Sequence, residues 1–240
     1  FAPNSWNDLF NYLSKVEKFP INLILASGLA ISKDNSDKIY DRFRNRLIVP
    51  IHDMQGRVVA FGGRSLDGQE PKYLNSPESE IFEKGKMLFA FEKASSDIRK
   101  RDKAIIVEGY FDVISLHSKG ITNSVASLGT ALNKYQISQL CRCTDNKNII
   151  LNFDSDNAGI LATKRVIKEV ETLSLHDQIN LKILQLSHFK DPDEYLNSHT
   201  PEDYFNLIDN SSFWIDWEID QIFKDQDLTK SEIFQSVISS

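Results

Sequence analysis

Apolar residues along this chain keep two different rhythms. In residues 1–30, Trp6, Leu9, Phe10, Leu13 and Val16 recur at helical spacing, and Ile21, Leu23, Ile24 and Leu25 follow before Gly28, which predicts two short helices. Leu47, Val49 and Ile51, then Val58, Val59 and Phe61 around Asp53-Met54-Gln55-Gly56, predict a β-hairpin over 46–62. Residues 67–77 contain two Pro and one Gly and read as loop, while 88–99 reads as helix. From residue 103 strands and helices alternate: strand 104–108, helix near 112–118, strand 122–126, helix near 134–142, strand 148–153, helix near 158–172 and strand 181–186. That alternation predicts an α/β fold, a parallel sheet flanked by helices, preceded by an α+β amino-terminal subdomain and followed by a helical carboxyl-terminal segment. The expected divisions are 1–102, 103–196 and 197–240. In the last of these, Trp214, Trp217, Ile219, Ile222 and Phe223 form an apolar stripe read as core.

Composition narrows the class. A chain of 240 residues with 41% hydrophobic and 10% aromatic content can build a core, which excludes disorder. No apolar run approaches the ~20 residues needed to cross a bilayer, so no membrane partner is expected. The opening Phe1-Ala2-Pro3-Asn4 lacks an initiating Met and reads as a fragment of a longer protein. Cys141 and Cys143 are too few for a four-ligand zinc site and too close for an ordinary disulfide, and read as reduced cytosolic thiols. The net charge of −6 is unevenly spread. Residues 38–103 hold 14 Lys and Arg against 10 Asp and Glu, whereas 197–240 hold 2 against 9, so a basic module precedes an acidic tail.

The candidate chemistry lies where acidic residues follow strands. Ala104–Val107 runs into Glu108-Gly109-Tyr110-Phe111-Asp112, Ile149–Phe153 into Asp154-Ser155-Asp156, and Asp191-Pro192-Asp193-Glu194 lies just past Ile183–Leu186. The carboxyl ends of strands in an open parallel sheet line one crevice, so three acidic groups are expected to converge there. Hard oxygen ligands without His or Cys suit magnesium or manganese, and crowded carboxylates repel unless a cation is present. A single Asp after a strand is more often a turn former or helix cap, and it is the repetition that favours function. Ser127-Leu128-Gly129-Thr130, at a strand-to-helix turn, is a weak phosphate signal. Arg42, Arg44 and Arg46, if extended, would share one face and meet a row of phosphates.

The run Asp41-Arg42-Phe43-Arg44-Asn45-Arg46, followed by Phe61-Gly62-Gly63-Arg64, Pro71-Lys72-Tyr73-Leu74-Asn75-Ser76-Pro77 and Phe82-Glu83-Lys84-Gly85, resembles the amino-terminal half of the catalytic core of bacterial DnaG-type DNA primases. Glu108-Gly109-Tyr110-Phe111-Asp112, Ala126-Ser127-Leu128-Gly129-Thr130, Phe153-Asp154-Ser155-Asp156-Asn157-Ala158-Gly159 and Asp191-Pro192-Asp193 resemble the toprim module of the same enzymes. The resemblance runs over about residues 1–200 in one order. It departs at Ser155, where the family usually has Gly, and strain would follow if that position needed a positive φ.

The resemblance implies a cytoplasmic enzyme of the replication fork that makes short RNA primers on single-stranded DNA from nucleoside triphosphates. Its partners would be the template, the nucleotides, the RNA primer and, through a module missing here, the replicative helicase; the family's zinc ribbon is missing too. Two or more Mg2+ or Mn2+ ions are implied, held by Glu108, Asp154 and Asp156, with Glu108 also a candidate base. Asp112, Asp191 and Asp193 complete the catalytic set, ligating a further metal or orienting the first ligands. Arg44, Arg46, Arg64, Lys72, Lys84 and Lys86, with Tyr73, Asn75 and Gly129, are the candidate binders of template phosphates or of the triphosphate. A toprim nuclease would use the same carboxylates with water as nucleophile, and a nucleic-acid-binding module with structural acids is the non-enzymatic alternative.

Overall fold

The computed structural model describes residues 1–32, 38–173, 178–186 and 188–223. The described residues divide into two compact units, those of 1–92 with 128–130, and those of 93–127 with 131–223. The first break thus falls inside a helix, Phe91–Arg101, rather than at the division expected after residue 102. Ala94 and Ile98 of that helix are completely buried, and its residues from Lys93 on belong with the second unit.

The first unit opens with helix α1 (Asp8–Asn11), which continues through a widened turn over Tyr12–Val16, and helix α2 (Ile21–Ala26). Strands β1 (Ala30–Ser32) and β2 (Ile39–Asp41) pair antiparallel. Strands β3 (Arg46–His52), β4 (Val58–Ser65) and β5 (Tyr73–Asn75) form an antiparallel sheet in that order. The predicted hairpin is β3–β4. Its turn is tied by Asp53, whose carboxylate accepts from the amides of Gln55 and Arg57, both at 2.9 Å. Pro50 is tolerated because β3 is an edge strand. The segment 67–77, expected as loop, contributes β5. Three residues are too few to show alternation, but they pair Tyr73 with Arg64 and Asn75 with Gly62 along the open edge of β4. Gly63 is needed here: a Cβ would stand 2.8 Å from the Phe43 ring.

The second unit begins in helix α3 (Phe91–Arg101) and holds strands β6 (Ala104–Val107), β7 (Ser124–Ala126), β8 (Asn148–Asn152) and β9 (Asn180–Ile183) in parallel, with β10 (Ser212–Phe213) antiparallel at one edge. The order is β10-β9-β8-β6-β7. Helices α4 (Tyr110–Ser118), α5 (Lys134–Cys141) and α6 (Asn157–Glu171) make the crossovers. All four residues of β6 are completely buried, the mark of a strand covered on both faces. After β9 come α7 (Pro192–Leu196), α8 (Pro201–Asp209) and α9 (Trp214–Phe223). The stripe on α9 read as core is buried only at Trp217; Ile219, Ile222 and Phe223 are exposed, because α9 packs one-sidedly at the sheet edge on β9 and β10. Among the described residues no helix is long and apolar enough to cross a membrane.

One buried polar contact locks this unit. Tyr204 on α8 is fully covered, and its hydroxyl donates to Asn152 Oδ1 at 2.7 Å, while Asn152 Nδ2 donates to the Leu184 carbonyl at 3.2 Å. A single Asn at the end of β8 therefore joins β8, the chain after β9, and α8. Removing the hydroxyl strands a buried acceptor, which costs about 1–3 kcal/mol. Tyr204→Phe is expected to lower stability by that amount in urea unfolding, while Tyr135→Phe, at an exposed ring, leaves it unchanged.

Candidate metal centre

Chain order sets where the site lies. From β6 the chain moves to β7 on one side and then crosses to β8 on the other, so β6 and β8 are neighbours whose onward connections diverge. A crevice outside the carboxyl ends of two such strands is the place where open α/β sheets bind ligands. Glu108 follows β6 and Asp154 follows β8, and the Glu108 carboxylate accepts from the Asp154 amide at 3.1 Å.

The other acids gather around this pair, most of them fixed by a hydrogen bond at the start of a helix. Asp112 on α4 accepts from the Gly109 amide at 3.0 Å. Asp156 caps α6 through the Gly159 amide at 2.9 Å, and Asp191 caps α7 through the Glu194 amide at 2.9 Å. Asp193 accepts from the Ser115 hydroxyl at 2.6 Å. The capping expectation and the ligand expectation thus fall on the same residues: a carboxylate that spends one lone pair on a backbone N–H keeps others for a cation.

Their electrostatics are those of a crowded, partly buried acidic cluster. Burial, then the neighbouring Asp154, pushes the Glu108 carboxyl up from 4.5 to about 7, against the opposing Asp154 amide. Burial raises Asp112 to about 6, with Asp191, Asp154 and Asp193 adding to it. Asp154 is raised by burial, opposed by Lys190, whose Nζ stands 3.6 Å from Asp154 Oδ2. Among the described residues no three acidic, His or Cys side chains already form a closed ligand set. The convergence is one of neighbouring, mutually repelling groups. An all-oxygen set of this kind fits a hard divalent cation.

Three contributors were not singled out from sequence. Lys190 looks like any solvated lysine, and Ser115 like any helix-surface serine. Gly159 lies in the Phe153–Gly159 motif, where the acids alone suggest chemistry. A Cβ at Gly159 would lie 1.9 Å from the Asp154 carbonyl oxygen and 2.9 Å from Glu108 Oε1, so only glycine lets α6 begin this close to both acids. Ser155 is not among the residues with positive φ, so the departure from the family pattern carries no backbone strain.

The basic candidates lie in the first unit and split into two groups. The extended row of Arg42, Arg44 and Arg46 does not form, because Asn45 takes a left-handed φ of 50° and breaks the segment. Arg42 donates twice to the Asn75 carbonyl, at 2.7 and 3.0 Å. Arg44 lies over the Trp6 ring at 4.5 Å and bonds the Asp41 carbonyl. Arg46 is only 7% exposed and donates to the carbonyls of Gly63 and Lys72. Asn75 Nδ2 in turn holds the Leu128 carbonyl at 2.9 Å, beside Gly129 with its φ of +77°. Each of these residues makes contacts that brace the fold. Arg64 and Lys72, by contrast, flank the exposed Tyr73 ring, at 5.9 and 5.6 Å from its centre. Lys86 pairs with Glu83 at 2.7 Å, and the Lys84 amide bonds Glu78.

Known proteins place the chain. Residues 1–95 match the family described as DNA primase catalytic core, N-terminal domain, and residues 105–196 match the family described as Toprim-like. A DNA primase of Synechococcus elongatus is 50% identical over 240 residues, which are 100% of this chain and 35% of that protein. The chain thus spans about a third of the length of such a relative. Among solved structures, a DNA primase domain from Pseudomonas aeruginosa is 35% identical with a TM-score of 0.85, covering 95% of this chain and 70% of that one. A DnaG primase catalytic domain bound to single-stranded DNA is 32% identical with a TM-score of 0.81, covering 97% and 74%. The order of a primase amino-terminal domain and a toprim domain, the clustered carboxylates at the β6–β8 crevice and these likenesses lead to one conclusion: the chain belongs to the DnaG-type DNA primase catalytic-core family.

Proposed function

We propose that this chain is the RNA-polymerising core of a DNA primase, joining nucleoside triphosphates into short primers on single-stranded DNA. The observation that carries the reading is the pairing of Glu108 with the Asp154 turn at the switch point of the sheet, with carboxyls held above their ordinary range by burial and by one another. Glu108, Asp154 and Asp156 would hold Mg2+ or Mn2+, with Asp112, Asp191 and Asp193 behind them for a second ion or for orientation. Bound there, divalent cations neutralise charge on the attacking and leaving oxygens of a transferring phosphoryl group. Glu108, beside the Asp154 turn, is also the candidate base for the primer hydroxyl. Arg64 and Lys72 offer charge to phosphates and Tyr73 a face to an unpaired base, and the relative bound to single-stranded DNA supports a template of that kind. Helicase and zinc-module partners would belong to the longer protein of which the relatives are examples.

Asp154→Asn is expected to reduce nucleotide incorporation at least about 100-fold, a loss on the scale of removing a main electrostatic group from an active site. The metal-free melting temperature should stay level or rise, since one repelling charge is gone. Near wild-type incorporation would overturn the assignment, and nicking of DNA without incorporation would favour the nuclease reading.

The raised carboxyls also set a pH dependence. A carboxyl with its folded pKa above the unfolded one binds its proton more tightly when folded, so its contribution to stability is present at low pH and lost as pH rises through the folded value. For Glu108 that loss is centred near pH 7 and for Asp112 near pH 6. Metal-free protein should therefore gain thermal stability on going from pH 8 to pH 5.5, Glu108→Gln should flatten the curve, and Mn2+ should stabilise more at pH 8 than at pH 5.5. A flat or inverted profile in scanning calorimetry would count against the cluster as drawn.

Arg64→Ala and Lys72→Ala should weaken binding to single-stranded DNA without altering sequence preference, each lowering the salt slope by roughly 0.7 if one phosphate contact is lost. Fluorescence titrations at several salt concentrations read this directly. Unchanged affinity and slope in both variants would remove the two residues from the template surface.

A further inference from the structure

We propose that Lys190 is an exchangeable counter-ion for Asp154, fastened within reach by Ser155, and that a divalent cation entering the carboxylate cluster must displace it. The inference rests on the metal reading above and goes beyond it in naming what the cation competes with. Lys190 Nζ stands 3.6 Å from Asp154 Oδ2, with the lysine side chain 61% exposed and the aspartate 18%. An ammonium on a mostly exposed stem can leave for water cheaply, whereas Asp154 cannot. A cation on Asp154 and the ammonium beside it would repel each other, so the two arrangements exclude one another.

The backbone beneath Lys190 is held although its side chain is loose. Its amide donates to Glu194 Oε2 at 2.7 Å, and its carbonyl accepts from the Ser155 amide at 3.4 Å. The Ser155 hydroxyl, with one proton to share, lies 3.3 Å from the Leu186 carbonyl and 3.4 Å from the Phe189 carbonyl. Ser155 therefore ties the turn that carries Asp154 and Asp156 to the segment that carries Lys190 and Asp191. Glycine at this position would keep the amide contact and lose both hydroxyl contacts.

The test measures Mn2+ affinity by electron paramagnetic resonance on the 240-residue chain, at low salt and with folding checked by circular dichroism, in wild type, Lys190→Gln, Lys190→Arg, Ser155→Ala and the Lys190→Gln/Ser155→Ala pair. Lys190→Gln should bind Mn2+ about three- to tenfold more tightly, with the gain shrinking as salt rises, and should lower the metal-free melting temperature. Lys190→Arg should stay near wild type. Ser155→Ala should move partway toward Lys190→Gln and add nothing in its background, since a residue acting through Lys190 has no effect once Lys190 is gone. Unchanged or weaker Mn2+ affinity in Lys190→Gln overturns the proposal, and full additivity of Ser155→Ala overturns the fastening. Asp154→Asn separates the two failures: if it leaves Mn2+ binding intact, the metal reading falls and not merely the counter-ion.

Discussion

Carboxylates crowded at the ends of two buried strands repel one another, and this end of the parallel sheet is organised around that repulsion. β6 and β8 have little freedom to move apart, because they pair over four residues and are sealed in a core with almost no exposure. Glu108 accepts from the Asp154 amide and Asp154 faces Lys190, while the acids around them are kept in place by amides at the starts of α4, α6 and α7 and by the Ser115 hydroxyl. Each contact favours the ionised form locally, yet burial and neighbouring charge still hold Glu108 and Asp112 protonated up to unusually high pH. Such a site is poorly satisfied by protein alone, which is the condition in which a cation binds most profitably.

Much of this was legible in the sequence because the parallel strands are short, wholly apolar runs followed at once by acids. Ala104–Val107 has no polar residue to suggest an exposed face, and the structure buries it on both sides. The positions of Glu108 and Asp154 follow from that alone. What could not be read is instructive in its causes. β5 has three residues and no alternation, so its existence depends on the edge that β4 presents. The arginine row fails on one backbone angle at Asn45, which no pattern of side chains reports. Lys190 matters through proximity to a residue 36 positions away in the chain, and such closeness is invisible until the sheet is assembled.

Several residues of the first unit that resemble ligand binders also brace the backbone. Arg42, Arg46 and Asn75 donate to main-chain carbonyls around the short β5 and the irregular turns. A guanidinium suits this work, since its donors can satisfy several carbonyls at once in a fixed plane. Charge on this chain therefore serves two ends, internal bracing and surface attraction, and only the pattern of hydrogen bonds separates them.

The close approach of α6 to the Asp154 turn bears on how sequences of this kind can diverge. At most crowded positions a larger side chain can be accommodated when a neighbour shrinks in compensation. At Gly159 the obstructing atom is the main-chain oxygen of Asp154, which every amino acid possesses. No replacement at position 154 can make room, so relief would have to come from shifting the helix start itself, and with it the cap at Asp156. The position is thus closed to gradual compensation: drift around it can alter the helix, the strand or the acids singly, but this junction admits change only by moving as a whole.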